Sequence, residues 1–450
     1  MQKYLLYFCM QKNNPTVTRA WCFYDWANSV YSLVITSTIF PIYYSAVAKN
    51  PETDSSIVNF FGFELQSSVL FSYAVSGAFL IIAALSPFLT AIADYSGRKK
   101  LFMRLFCYLG SISCAALFFF TKETFSISVI FFVLASIGFS GSIVFYNSYL
   151  PEIATEDQYD KLSAQGFSLG YIGSVLLLVF NLAMIMQPGW FGIAADNTSL
   201  PPRIAFLTTG IWWFGFAQYS FYHLPGNVYH RKPGGSWVLN GFKELQKVLN
   251  QVKELPLLKR FLLAYFFYNM GVQTVMYVAT IFGIEVLALP DEALIITILI
   301  IQLVAIAGAY GFAALSNKYG NIKALIIAVI IWIGICIAAY FINSANQFYV
   351  LAAVVGSVMG GIQSLSRSTY SKLIPATTIE HASFFSFYDV TEKISIVLGT
   401  LAYGAIAQLT GSMRYSILAL IVFFALGLLF LSLVKGKRTL QAEQERVKVS

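Results

Sequence analysis

Apolar positions in this chain come in long unbroken stretches rather than in strict alternation. Twelve such runs cover residues 20–48, 67–93, 101–120, 126–149, 165–187, 204–224, 261–288, 293–315, 324–343, 348–372, 384–408 and 414–434. A helix needs about 20 mostly apolar residues to cross a bilayer. A barrel strand would be about ten residues long and would alternate apolar with polar. The pattern predicts an all-α membrane protein with twelve transmembrane helices and little chain left for a soluble domain.

The one long break, residues 225–260, separates six runs from six. It opens with the turn-rich basic stretch "PGNVYHRKPGGS" and continues as "WVLNGFKELQKVLNQVKEL". In the second stretch Val238, Phe242, Leu245, Leu249 and Val252 recur at steps of four and three, one apolar face of a helix. Lys243, Lys247 and Lys253 stand elsewhere around it. A helix lying on the inner membrane surface fits this pattern; a solvated linker helix is the other reading. The expected organisation is a six-helix half (1–224), a linker (225–260), a second six-helix half (261–434) and a tail (435–450).

Composition agrees. Of 450 residues 58% are hydrophobic and only 11% charged, against roughly 25% charged in soluble domains. The net charge of +8 is explained by topology: 23 of the 29 Lys and Arg fall before the first run, in the tail, or in the even-numbered loops and the run ends that flank them. By the positive-inside rule both termini are cytoplasmic, and no nucleic acid is needed as a partner. The N-terminus does not read as a cleaved signal peptide, and Met10 is a second candidate start. The five cysteines form neither a CxxC nor a Cys/His cluster, so neither a disulfide, a metal site nor a cofactor is expected. No phosphate-binding GxxxxGK[ST] loop is present, so ATP is not the expected direct driver of any work the chain does.

The two sets of six runs share signals in the same order. "FYDWANSV" in the first run resembles "FYNMGVQT" in the seventh, and "IADYSGRKKL" after the second resembles "LSNKYGNIKAL" after the eighth. The fourth and tenth runs end Tyr-x-x-x-x-Pro, at Tyr146/Pro151 and Tyr370/Pro375. "TAIADYSGRKK", Thr90 to Lys100, is similar to the signature loop of the major facilitator superfamily. Thr90 stands where that motif has its first glycine, and the fourth run lacks the arginine that often accompanies it. Gly97 permits a tight turn, Asp94 suits a neighbouring helix N-terminus, and Arg98 is placed to bond across the seam between halves. The resemblance implies that Asp94, Gly97 and Arg98 latch a cytoplasmic gate. "WCFYDWANSVYSLVI", "VFYNSYLPEI", "LSAQGFSLGYIGS" and "FFSFYDVTEKISIVLG" narrow the resemblance to the vacuole-effluxer-like branch, which includes autophagy-related amino-acid permeases and bacterial proteins. It implies a secondary transporter moving a small polar solute, with amino acids as one class and export as one direction. Compact loops and the basic pattern suit a bacterial inner membrane and a monomer. A non-transporting lipid-handling or sensor protein on the same scaffold is the alternative.

Polar residues inside the runs mark the expected site. At about 100° per residue, Trp21, Asp25, Asn28, Ser29, Ser32 and Thr36 form one stripe on the first run. Asn269, Gln273 and Thr280 repeat it on the seventh with the same spacing. Gly356, Gly360, Gln363 and Arg367 share a face of the tenth, and Ser140, Tyr146 and Asn147 come from the fourth. The expected substrate-binding set is Asp25, Asn28, Ser32, Thr36, Tyr146, Asn147, Asn269, Gln273, Gln363 and Arg367. Two readings stay open for Asp25: a proton-coupling site or a fixed charge at a cytoplasmic gate. Two also stay open for Arg367: a clamp for a substrate carboxylate, or a structural partner for Asp25, Asp389 or Glu392. Asp389 and Lys393, four apart with the acid first, suit an ion pair; this leaves Glu392 unpaired. These three are expected to serve gating. Gly166, Gly170 and Gly173 read as helix packing.

Overall fold

The computed structural model describes residues 12–49, 56–194, 196–229 and 236–434. The expected tail 435–450, the candidate start at Met10 and part of the basic stretch at 230–235 lie outside the described residues. Thirteen long helices run through the described chain. They are α1 (Pro15–Ala48), α2 (Ser67–Ser96), α3 (Lys99–Ala116), α4 (Phe125–Asn147), α5 (Tyr159–Met186), α6 (Leu200–His223), α7 (Trp237–Glu254), α8 (Pro256–Glu285), α9 (Asp291–Tyr319), α10 (Asn321–Phe341), α11 (Ala345–Leu373), α12 (His381–Thr410) and α13 (Met413–Ser432). Eleven helices are long and apolar enough to cross a bilayer. α6 takes the sixth place in the bundle. Its 24 residues would span about 36 Å at 1.5 Å each, and its Trp212, Trp213, Tyr219 and Tyr222 make it less apolar by composition.

Local chemistry sets the helix ends. Pro15 opens α1, where a missing N–H costs nothing, and Asn14 caps it by accepting from the Thr16 amide at 2.9 Å. Gly97 closes α2 at φ +65°, a left-handed turn that a side chain resists. Within α1, residues Tyr31–Thr38 form wider π turns, a feature common where helices line functional sites. They keep Thr36 on the polar stripe and bring Ser37 beside it.

One element departs from the all-helical expectation. Between α1 and α2 the chain forms an antiparallel hairpin, β1 (Ile57–Phe60) and β2 (Phe63–Gln66). Its alternating "IVNFFGFELQ" is too short to register as a membrane run.

Two apolar cores form. One is built chiefly from α1–α6 and holds Trp21, Phe40, Phe132 and Trp213. The other is built chiefly from α8–α13 and holds Phe261, Trp332, Leu365 and Phe424. Lipid offers apolar surface as good as any core, so close packing of small residues has to hold such helices together. Gly356 and Gly360 serve this role: a Cβ would lie 2.5 Å from the Ile301 carbonyl oxygen and 2.1 Å from that of Ala305. They therefore meet α9 instead of lining a cavity, and only Gln363 and Arg367, further along the same stripe, reach the interior.

α7 lies against α2. Gly241 packs on Ile92, Phe242 on Phe88 at 4.7 Å, and the Asn240 amide donates to the Tyr95 hydroxyl at 2.8 Å. Gly241 and Val248 are buried, as is Leu255 just past its end, and Leu245 and Val252 are half-buried; Phe242 and Leu249 are exposed. The predicted face is thus rotated by part of a turn, because the helix seats on protein as well as facing outward. Lys247 bonds Glu380, just before α12, at 2.7 Å. α7 therefore touches both sets of helices.

A polar cavity closed at one end

Asp25 is a carboxylate one-third of the way along an apolar helix, where charge demands a partner. Its partner is Arg367, 342 positions away, at 3.2 Å. Both side chains are buried. The Tyr146 hydroxyl donates to the same Asp25 oxygen at 2.7 Å. The guanidinium also donates from Nη1 to Asn147 Oδ1 (3.3 Å), from Nε to Ser163 Oγ (2.9 Å) and from Nη2 to the Ser163 carbonyl (2.9 Å). A guanidinium has five N–H donors, so four are committed. Phe167 and Trp21 cover its faces, with ring centroids at 4.2 and 4.7 Å. Trp21 is itself fixed by donating its indole N–H to the Tyr146 carbonyl at 2.9 Å. In this state Arg367 ties the two sets of helices and leaves no bidentate face for a carboxylate ligand.

Gly166 makes the contact sterically possible. A Cβ there would fall 2.4 Å from Asp25 Oδ2 and 3.0 Å from Arg367 Nη2. The sequence pattern marked this glycine for helix packing only, and Ser163 escaped notice because one serine in an apolar run carries no signal.

Above this knot opens a cavity of about 240 Å³. Asp25, Asn28, Ser32, Thr36, Asn147, Asn269, Gln273, Gln363 and Arg367 line it, while Tyr146 stands behind Asp25 and is fully buried. The cavity wall also carries Asn28 Nδ2, Ser140 Oγ and Ser174 Oγ, which find no hydrogen-bond partner among the described residues. Asn269, the counterpart of Asp25, is held within its own set of helices: its amide donates to Ser395 Oγ at 2.6 Å and Gln273 Nε2 donates to it at 3.4 Å. Gln363 accepts from the Tyr171 hydroxyl at 2.7 Å.

Glu392 and Lys393 also line the cavity, away from the seam where Asp94 lies. α12 starts at His381, so they fall eleven and twelve residues in, about 17 Å along the helix. Lys393 Nζ lies 3.3 Å from Asp389 and 3.7 Å from Glu392. Glu392 is therefore not an unpaired acid; one ammonium serves two carboxylates.

The loops carrying most of the basic residues define one face of the bundle. Bonds between the two sets of helices gather toward it. Asp94 accepts from the Ser383 amide and hydroxyl, both at 2.7 Å, and from the Ala382 amide at 3.3 Å. It thereby caps the first turn of α12, where free N–H groups and the helix dipole favour an anion. Gly97 turns against Asn227, whose side chain a Cβ would strike at 2.5 Å. Arg98 is exposed at the N-cap of α3. Of the three consecutive basic residues Arg98, Lys99 and Lys100, Lys99 is the buried one, and it pairs with Glu152 at 2.5 Å. Asp160 makes a further tie: it pairs with Lys372 at 2.7 Å and accepts from Ser316 Oγ (2.8 Å) and Asn321 Nδ2 (2.7 Å). The sequence pattern missed it; an acid in the first turn of a helix was its only trace.

The chain and its fold resemble known proteins. A family profile described as "Vacuole effluxer Atg22 like" matches residues 13–159 and 154–444. The chain belongs to this Atg22-like family. Among its relatives is an uncharacterized MFS-type transporter, YxiO, of Bacillus subtilis (strain 168), 32% identical over 97% of this chain and 99% of the relative. Autophagy-related protein 22-1 of Penicillium rubens is 24% identical over 88% of this chain and 80% of its own length. Solved structures show the same fold: the proton:xylose symporter XylE at TM-score 0.69 and 13% identity, covering 93% of this chain and 95% of that one. FucP in an outward conformation has a TM-score of 0.67 at 12% identity, covering 94% and 99%. This Atg22-like chain is thus a multi-pass membrane protein of major facilitator fold.

Proposed function

We propose that this chain is a secondary transporter for a small polar solute. Its two halves, 1–224 and 261–434, rock about the central cavity and are joined by the linker 225–260. The observation that carries this reading is the cavity wall. It lies between the halves, is lined by amides, hydroxyls and charged groups, and holds buried polar atoms that find no hydrogen-bond partner among the described residues. Such atoms are rare in native structures and suit a ligand with its own donors and acceptors. With the termini cytoplasmic, the knot at Asp25 and Arg367 closes the inner end, and Asp94 on α12 and Asp160 on Lys372 close the seam beneath it. Asp25 and Arg367 then act as gate residues in this state. Arg367 turns toward a substrate only when the gate opens.

The relatives and neighbours, a vacuole effluxer family, an MFS-type transporter and sugar–proton symporters, support transport driven by a gradient. Amino acids and related metabolites are the first solute class, moved outward, with a proton as the coupled ion and a bacterial inner membrane as the site. The test is a thermal-shift screen of the purified protein against amino acids, dipeptides, sugars and nucleosides. A bound ligand stabilises by RT ln(1 + [L]/Kd), about 2.7 kcal/mol at a hundredfold excess over Kd. One polar class should raise Tm in a saturable way, and should then be counter-transported by proteoliposomes. Stabilisation by lipids alone, with no counter-transport of any polar solute, would support the lipid-handling alternative instead.

A further inference from the structure

The ionic group on α12 differs from the knot at Asp25. Asp25 and Arg367 form a neutral pair, with a tyrosine hydroxyl donating to the acid and three further acceptors around the guanidinium. On α12, Asp389 and Glu392 share the single ammonium of Lys393, at 3.3 and 3.7 Å, so the cluster carries one excess negative charge. All three side chains lie inside the bundle, Asp389 and Lys393 nearly fully buried and Glu392 open to the cavity. The approach of Lys393 to Asp389 is off the line of a hydrogen bond, and among the described residues no aligned donor reaches either Asp389 oxygen. An unbalanced carboxylate at membrane depth is costly and calls for a cation.

The neighbouring helices offer the excess charge little relief. α8 turns Tyr265, Tyr268 and Tyr277 toward the same wall, and α12 adds Tyr388. α2 brings Ser86 beside Asp389 and Phe79 under Lys393 at 5.7 Å, while its Asp94 is spent on Ser383. On α4, Tyr146 donates to Asp25; on α13, Arg414 bonds the Tyr340 carbonyl. Arg367, on the same cavity, is held by Asp25, Asn147 and Ser163.

We infer that Asp389, Glu392 and Lys393 form an exchangeable proton site on the cavity wall, with Glu392 as the group that takes and releases the proton. A proton arriving through the cavity converts the Glu392 carboxylate to the acid, and Lys393 remains paired with Asp389. The cluster then becomes neutral. Release restores the charge. This deepens the transport reading by placing the coupled ion on α12 instead of on Asp25.

The experiment needs no transported solute, so its failure is distinct from a failure of the transport reading. Infrared difference spectra of the full chain in lipid, between acidic and neutral buffer, should show a protonated-carboxyl band. Glu392→Gln, nearly isosteric and facing the cavity, should lose it. Lys393→Gln removes the shared cation and should change the pH at which the band appears; it also serves if Glu392→Gln does not fold. A band that survives Glu392→Gln overturns the assignment. So does a midpoint unmoved by Lys393→Gln, or one that follows sodium concentration at fixed ionic strength.

Discussion

At the scale of single residues, the Asp25–Arg367 knot should behave as one unit. Arg367→Gln alone leaves Asp25 buried without its cation, and breaking a buried pair from one side costs roughly 3–5 kcal/mol. The double variant Asp25→Asn/Arg367→Gln removes both charges and should recover most of that. Melting of the detergent-solubilised variants measures it; equal losses in single and double variants would mean the pair is not coupled. Gly166→Ala puts a methyl where Asp25 Oδ2 sits 2.4 Å away. It should lower transport at least tenfold, by an order-of-magnitude argument from misplaced gate groups, while Gly170→Ala, aimed at Ser29, leaves the pair itself in place. The acid in the apolar run was visible in the sequence, and so was the arginine. Their pairing was not. Three acids competed for one arginine on spacing alone, and only the packing of α1, α5 and α11 decides among them.

At the scale of elements, Asp94 works through the end of α12 and not through a single partner side chain. Replacing such a cap by alanine costs about 0.5–2 kcal/mol. Asp94→Ala should therefore speed hydrogen exchange in the first turn of α12, with Asp94→Asn milder because its oxygen still accepts. Unchanged protection at Ser383 and its neighbours would contradict the cap. The docking of α7 carries a pH signature. Burial pushes the Glu380 carboxyl up, but hydrogen bonds involving Glu244, Lys247 and Thr378 outweigh it and bring it down to about 2. A carboxyl held low adds stability above its ordinary value of about 4.5, and this is lost as pH falls toward 2. Lys247→Ala should thus loosen α7 at neutral pH, and acidification should loosen the wild type only below the ordinary glutamate range. Protease accessibility of 236–255 reads both. Helical periodicity announced α7 and the stripe Gly356–Arg367, but it could not say what each face meets. A period gives an angle around one helix; the neighbour is set by how helices cross.

At the scale of the whole molecule, the twelve apolar runs made the bundle legible, because a bilayer leaves a chain few ways to satisfy its backbone. The duplicated signals made the two halves legible as an expectation. The asymmetry between them was not. Asp25 on α1 is tied to Arg367 on α11, whereas Asn269 on α8 is tied to Ser395 on α12. Asp94 reaches from α2 to α12, whereas the opposing seam carries its carboxylate on α5 as Asp160. Such choices depend on contacts between residues hundreds of positions apart, and no local pattern encodes them. The resulting ties all favour a state closed on the basic face, and alternating access requires that they break together.

That requirement sets the most direct test. Spin labels at Lys161 and Lys323 report the basic face, and labels at Lys122 and Phe341 report the other; all four positions are exposed. Distances between each pair would be measured by pulsed electron resonance in lipid, with and without Arg367→Gln. Release of the knot should lengthen the Lys161–Lys323 distance and shorten the Lys122–Phe341 distance in the same population. If the two distances do not change, or if both lengthen together, the halves do not rock about this cavity and the gate assigned to Asp25 and Arg367 is wrong.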